Sequence, residues 1–304
     1  MSVIPSKTGC DRGVPAVKAT LADAPLISVV TPSFNQACFI DEALTSVQAQ
    51  SYRNYEHIIV DGMSSDGTID ILRNRLSNKD QTNAFWISEP DSGQSNALNK
   101  GFRLAKGDII GWLNSDDRYW PNCFEHVAKA FRDHPEIDIV YGDYCLINEA
   151  SKILKVKREI EFNTFILLYH RVLYVPTPTT FFRRRVFNEN NWLNEKLHYA
   201  MDFEFFLRLS ESGYRFMHLS KILADFRLQP TSKTCASPGK QQAEHRQIVI
   251  MMSPLLRSLK SPLLKSAMLS SLQVVAGVRR YSEKLLRGYY WKQLHSNGVS
   301  HLDT

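Results

Sequence analysis

Between Leu26 and Tyr141 short apolar runs alternate with amphipathic stretches. Ile27–Thr31, Tyr55–Asp61, Ala84–Ser88, Ile109–Leu113 and Ile137–Tyr141 are compact runs rich in β-branched and aromatic residues, and they predict strands. Ala37–Gln50 sets Ile40, Leu44 and Val47 on one helical face. Gly67–Arg75, Ser95–Ala105 and a stretch from Pro121 to about Phe131 complete the alternation. Thr68, after Asp66 and Gly67, marks a helix start, and Pro121 suits a first helical turn. Strand and helix repeated in this order predict an α/β fold, a mainly parallel sheet with helices on both faces.

The polar residues of this half fall where the strands end. Thr31, Ser33 and Asn35 follow the first strand, Asp61 and Asp66 the second, Asp91 and Gly93 the third, Asp116 and Asp117 the fourth. Parallel strands bring these loops to one edge, which is where open α/β sheets bind ligands. Convergent polar loops therefore predict a cleft for a polar ligand. In GDIIGWLNSDD, from Gly107 to Asp117, an apolar run ends in adjacent carboxylates. Such a pair is either a solvated turn or a site for a divalent cation with positions open to phosphates. Neither GxGxxG in the first turn nor GxxxxGK[ST] anywhere is present, which disfavours dinucleotide and P-loop sites.

Composition narrows the partners. The 304 residues suffice for one large α/β domain with an appendage or for two small domains, and 43% hydrophobic with 22% charged content is globular. A net charge of +6 suits an anionic ligand or surface without the concentration that nucleic acid calls for. Cys10, Cys38, Cys123, Cys145 and Cys235 are odd in number and show no CxxC spacing, so a reducing, cytoplasmic setting is expected. The first two dozen residues lack the apolar core of a signal peptide, and no apolar run approaches the roughly 20 residues that span a bilayer. A soluble or peripheral protein is the expectation.

The strings SVVTPSFNQACFIDEALTSVQAQSY, YEHIIVDGMSSDGT, SEPDSGQSNALNKGF and AKGDIIGWLNSDDRYWP, in this order, resemble the nucleotide-sugar half of family-2 glycosyltransferases with the Rossmann-like glycosyltransferase-A fold. The resemblance covers Leu26 to Asp143. It implies inverting transfer of a sugar from a nucleoside-diphosphate donor, assisted by Mn²⁺ or Mg²⁺, in synthesis of a cell-surface or exported polysaccharide. Under it the loop Thr31, Pro32, Ser33, Phe34, Asn35 lies against the nucleoside, and Asp61 accepts a hydrogen bond from a ring N–H of the base. Gly62 and Met63 stand where the family often carries a second Asp. Asp91 meets the nucleoside or ribose, Gly93 lets the backbone approach, and Asn96 joins the donor site. Lys100 either neutralises phosphate or is an exposed helical lysine. Asp117 is the expected direct metal ligand, with Asp116 on ribose or metal, while Asn114 replaces a carboxylate common in the family.

Beyond Tyr144 the pattern loosens. In LHYAMDFEFFLRLSESGY, Phe203, Phe206, Leu207 and Leu209 make an apolar helical face with Asp202 at its start. Asp202 either caps the helix or deprotonates an acceptor hydroxyl, and Asp202-Phe203-Glu204 resembles the family's general-base motif. Glu204 is expected to orient its neighbour or face the metal. DFRLQPTSKT resembles the block that closes over the diphosphate, with Gln229 where a His is common. Arg227 and Lys233 are assigned there to phosphate, with an ordinary basic loop as the other reading.

The expected organisation is a lead-in at 1–25, a nucleotide-sugar half at 26–143, an acceptor half at 144–234 and a helical extension at 235–304. The acceptor is expected to be a saccharide or lipid-linked saccharide. The Leu- and Lys/Arg-rich extension, interrupted by Pro254 and Pro262, is read first as a cap on the acceptor half. Its other reading is peripheral contact with an anionic membrane, for which Arg279, Arg280 and Lys284 speak. The competing function is a non-catalytic nucleotide-sugar binder, which would need no base at Asp202.

Overall fold

The computed structural model describes residues 23–77, 83–170, 172–230, 232 and 237–289. The amino-terminal half runs β1 (Ile27–Ser33), α1 (Ile40–Gln48), β2 (Tyr55–Asp61), α2 (Thr68–Arg75), β3 (Ala84–Ser88), α3 (Gln94–Leu104) and β4 (Ile109–Trp112). There follow β5 (Arg118–Tyr119), α4 (Cys123–Asp133), β6 (Ile139–Ile147), β7 (Ile153–Lys157), α5 (Thr164–His170), β8 (Phe181–Arg183), α6 (Arg185–Asn188), α7 (Met201–Glu211) and β9 (Phe216–Arg227). The chain ends in α8 (Pro238–Met252), α9 (Pro254–Ser258) and α10 (Pro262–Leu286).

Among the described residues nine strands form one sheet in the order β3-β2-β1-β4-β8-β6-β9-β5, with β7 also paired to β6. β3, β2, β1 and β4 are parallel, as the strand–helix alternation predicts. The strand expected at Ile137–Tyr141 does not continue that series. β8 inserts antiparallel between β4 and β6, and β6 pairs in parallel only with β9. β6 also runs through the expected boundary at residue 143, so both halves share one continuous sheet.

Period-two alternation divides the core. Val30 of β1, Ile58 and Val60 of β2, and Ile110 and Trp112 of β4 pack under α3, α5 and α7. Their neighbours Ile27, Val29, Ile109 and Leu113 pack on the opposite face against α1 and α4. Strands buried on both faces read as unbroken apolar runs, which is why they were visible in sequence.

Helix α1 starts at Ile40 rather than Ala37, and the loop before it is tied to the start of α2. The N–H of Gln36 donates to Thr68 Oγ1 (3.0 Å) and that of Ala37 to Asp66 Oδ2 (2.9 Å). Asp66 and Thr68 thus shape the turn and the start of α2. In the extension, Pro254 and Pro262 begin new helices at N1, each preceded by a serine cap, Ser253 or Ser261. Cys38, Cys123 and Cys145 are free thiols. Cys10 and Cys235 lie outside the described residues.

Candidate active site

A cleft of about 610 Å³ opens at the carboxyl edge of the parallel strands. The first wall comes from the end of β1. That strand continues to Ser33, so alternation turns Thr31 into the core, where its Oγ1 lies 2.9 Å from His57 Nε2. Pro32, Ser33 and Phe34 line the cleft. Ser33 Oγ is buried without a protein partner, and the Phe34 ring is 60% exposed. Asn35, at φ 52°, turns away and ties two loops together: its N–H donates to Ser64 Oγ (2.8 Å) and its Oδ1 accepts the Ser65 N–H (2.9 Å).

Asp61 is fully buried and already holds three donors. Oδ1 accepts the Ser64 hydroxyl (2.5 Å), while Oδ2 accepts the Ser64 N–H (2.9 Å) and the Ser88 hydroxyl (2.8 Å). Asp61 is absent from the cleft lining, as are Thr31 and Asn35; all three brace it from behind.

From the β3–α3 loop, Asp91, Gly93 and Gln94 face the cleft. Asp91 Oδ1 accepts the Gly93 N–H at 2.8 Å, and Gly93 takes φ 122° where α3 begins. The other oxygen, Asp91 Oδ2, lies over Gly62, where an added Cβ would stand only 2.5 Å away. A side chain at position 62 would displace Asp91. Asn96 and Lys100, expected at the donor, lie off the cleft because they share an i, i+4 stripe distinct from that of Gln94 and Ala97. Asn96 Nδ2 donates to Glu195 (2.9 Å), and Lys100 Nζ pairs with Glu89 (2.8 Å) and the Pro90 carbonyl (2.7 Å).

The Asp-rich turn forms the floor, with Asn114, Ser115, Asp116 and Asp117 all lining it. Asn114 Oδ1 accepts from Trp112 Nε1 (2.9 Å) and Gln94 Nε2 (3.0 Å), while its Nδ2 donates to Asp117 Oδ2 (2.9 Å). Asp117 Oδ1 accepts the backbone N–H of Arg227 (2.9 Å), and Asp116 Oδ2 accepts from Gln229 Nε2 (2.6 Å). Burial raises the pKa of both carboxyls; Asp117 is raised well above the usual range, its neighbour Asp116 adding to the effect.

Arg227 does not reach into the cleft with its charge, contrary to the phosphate role expected of it. Its guanidinium is wholly buried and its donors are used: on the Asp116 carbonyl (2.8 Å), the Asn148 and Glu149 carbonyls and Ser151 Oγ (each 3.0 Å), and Glu42 (2.9 Å). Arg227 buttresses the turn. Lys233 lies outside the described residues.

The opposite wall carries Thr177, His198, Tyr199, Met201 and Asp202, with Gln241 reaching in from α8. Asp202 is the second residue of α7, not its cap, which is Ala200. The capping acceptor comes from elsewhere: Glu244 of α8 takes the backbone N–H groups of His198 (3.2 Å), Tyr199 (2.8 Å) and Ala200 (2.9 Å). Glu204 is buried and turned away from the metal-facing position expected of it, held to Arg208 Nε at 2.7 Å.

Asp91, Asp116, Asp117 and Asp202 thus meet at one cleft, and among its described lining residues the only Arg or Lys is the buried Arg227. In a chain of net charge +6 this pocket is acidic. Among the described residues no group of three or more His, Cys, Asp or Glu could hold a metal ion unaided. Asp116 and Asp117 nonetheless fit a divalent cation, since their oxygens keep lone pairs and their shared burial is what a cation would offset. Sequence reasoning missed His198, Tyr199 and Gln241. The first two stand within four residues of Asp202 in LHYAMD, whereas nothing in sequence connects Gln241 to the cleft.

The family model "Glycosyl transferase family 2" matches residues 28–206. An uncharacterized glycosyltransferase of Rickettsia typhi is 29% identical over 216 residues, 66% of this chain and 62% of that protein. Hyaluronan synthase of Pasteurella multocida is 27% identical over 232 residues, 74% of this chain and 23% of the synthase. Chondroitin synthase of Escherichia coli is 27% identical over 238 residues, 76% of this chain and 33% of that enzyme. The chain therefore spans under two thirds of the length of these relatives. Among solved structures, S. aureus TarS 1-349 in complex with UDP-GlcNAc superposes with a TM-score of 0.62 at 20% identity, covering 88% of this chain and 75% of that one. Mannosyltransferase PcManGT of Pyrobaculum calidifontis, in complex with GDP-Man and Mn2+, gives 0.57 at 18% identity, covering 84% and 73%. The fold is shared with these glycosyltransferases.

Proposed function

This chain belongs to glycosyl transferase family 2, and from that membership we propose that it transfers a sugar from a nucleoside-diphosphate sugar to an acceptor hydroxyl with inversion, in building a cell-surface or exported polysaccharide. The observation that carries the reading is the convergence of Asp91, Asp116, Asp117 and Asp202 on a cleft where, among the described residues, the one Arg has its guanidinium buried. An anionic diphosphate enters such a pocket only with a cation. Asp116 and Asp117 would hold Mn²⁺ or Mg²⁺, which supplies charge stabilisation for the departing diphosphate. The Mn2+ and GDP-Man of the Pyrobaculum neighbour and the UDP-GlcNAc of TarS support a donor of this class.

The chain's own groups do the rest. Phe34 offers an exposed ring for the base to stack on, and Ser33 Oγ a donor without a partner. Asp91 accepts from the ribose. Asp61 shapes the nucleoside pocket by holding Ser64 and Ser88, and touches the base only where one of those hydroxyls gives way. Lys100 supports the β3–α3 loop, and Asn96 ties α3 to the segment at Glu195. On the facing wall Asp202 accepts the proton of the acceptor hydroxyl as it attacks the anomeric carbon opposite the diphosphate. A single displacement needs no glycosyl-enzyme intermediate, and inversion follows. The acceptor is a saccharide or a lipid-linked saccharide, and the reaction belongs at the cytoplasmic side of the membrane.

The test is an assay of nucleotide release from a panel of nucleotide sugars with Mn²⁺ and mixed oligosaccharide acceptors, with the product anomer read by NMR. Turnover with an inverted product supports the reading. Tight donor binding with no transfer to any acceptor would mark a binding module instead, and a retained anomer would remove Asp202 as the base.

A further inference from the structure

Helix α10 is covered on one side only. Its inner face, with Leu269, Leu272 and Ala276, packs on the core, and a Cβ added at Gly277 would stand 3.3 Å from the His170 ring of α5. Arg280 and Lys284 fix the helix about its own axis by pairing with buried Glu159 at 2.7 and 2.9 Å. This is the cap that sequence predicts. The outward face is apolar as well: Leu264, Met268, Val275, Val278 and Leu285 recur at helical spacing, interrupted only by Ser271 and Ser282, and Val274 and Tyr281 widen the stripe. Leu263 is 83% exposed, Val274 66%, Val278 61% and Leu286 87%. Over the 25 residues of α10 the stripe is roughly 35 Å long, far beyond the scattered apolar side chains of an ordinary surface.

We propose that this outer face of α10 lies in the plane of an anionic lipid bilayer and holds the enzyme against it. Charge selects that occupant. Between Met251 and Arg287 the chain has seven basic residues and one acid, Glu283. With Arg280 and Lys284 spent on Glu159, and Arg287 on Glu283 and Glu161, the cations Arg257, Lys260, Lys265 and Arg279 have no ion-pair partner within 4 Å among the described residues. A second copy of the chain would set these cations against themselves with few carboxylates beside them, Glu283 and Glu161 being engaged by Arg287, whereas anionic head groups complement them. Among the described residues no helix is long and apolar enough to cross a membrane, so α10 rests on the surface. The same extension reaches the reaction cleft through Gln241 and braces its wall through Glu244 of α8, so docking by α10 brings the acceptor wall close to lipid-borne acceptors.

The full chain is sedimented with vesicles of phosphatidylcholine alone and with vesicles containing about one-third phosphatidylglycerol. Anionic vesicles should pellet about ten-fold more protein at low salt, and about 0.5 M salt should reverse much of it. Val278→Glu and the pair Lys260→Glu with Arg279→Glu should each abolish pelleting while leaving diphosphate binding unchanged, which separates a failed docking surface from a failed active site. Equal pelleting on both vesicle types would overturn the charge argument. No pelleting on either overturns the proposal. If sedimentation velocity then shows a dimer that Val278→Glu dissociates, a second copy covers the stripe; a monomer would leave a segment of this chain as its cover.

Discussion

Glu244 accepts the backbone N–H of Ala200 at 2.9 Å, so a helix of the carboxyl-terminal extension caps the helix that carries Asp202. A carboxylate there opposes the positive end of α7 and satisfies donors that the local sequence leaves open. Glu244 is a positioning residue: it lies beside the cleft and acts through the loop 198–200. Glu244→Ala should reduce kcat by about ten-fold or more with little change in donor KM, and cost about 1–3 kcal/mol of stability. Glu244→Gln, which keeps an acceptor, should recover part of both. Equal kcat in wild type and Glu244→Ala would leave Glu244 with a purely structural role.

Asp202→Asn keeps the shape of the base and removes its proton affinity. Transfer should fall by about 10² to 10⁴-fold while calorimetric donor affinity stays within about two-fold. Loss of donor binding in this variant would place Asp202 in the donor site instead.

Asn114 stands where the resemblance leads one to expect a carboxylate, and its amide donates to Asp117 at 2.9 Å. Asn114→Asp keeps the acceptor for Trp112 and Gln94 but replaces that donor with a like charge. The metal-free protein should lose about 1–2 kcal/mol, and Mn²⁺ should restore most of it with tighter binding than wild type. Thermal melts with Mn²⁺ and with a chelator read both effects; a loss that Mn²⁺ does not offset would argue against a cation at this turn.

His57 is buried beside Thr31 with Nδ1 unpartnered, and burial pushes its pKa from 6.5 down to about 3. Above pH 6.5 the imidazole is neutral in both folded and unfolded chains, and no penalty exists. Below it the unfolded chain binds a proton that the folded one refuses, so stability falls by about 1.4 kcal/mol per pH unit until about pH 3. Urea titrations at stepped pH should show this slope in wild type and a shallower one in His57→Gln. Parallel slopes would assign the acid sensitivity to other groups.

The parallel half was legible because β1, β2 and β4 are buried on both faces, and the loops that follow them carry polar residues in a recognisable order. β8 and β5 were not, since Phe181–Arg183 and Arg118–Tyr119 are too short to express a period. The site residues divide for a similar reason. Asp91, Asp116 and Asp117, in loops after strands, and Asp202, in the first turn of α7, all line the cleft. Arg227 was misread because its partners, Glu42 and the carbonyls of Asn148 and Glu149, come from distant segments that only folding assembles. Asp61 is filled by Ser64, three residues further on, and by Ser88 from the neighbouring strand β3, and Glu244 gives no sign in sequence of the loop it caps.

The most direct test of a metal-dependent nucleotide-sugar site is calorimetric titration of the wild-type chain with UDP, GDP, dTDP and CDP, each with Mn²⁺ and again with a chelator. One diphosphate should bind with Mn²⁺ and lose at least about ten-fold in affinity with the chelator, and Asp116→Ala and Asp117→Ala should abolish the difference. Binding of equal strength in both conditions, or no binding of any diphosphate, would contradict a cation-bridged donor at Asp116 and Asp117.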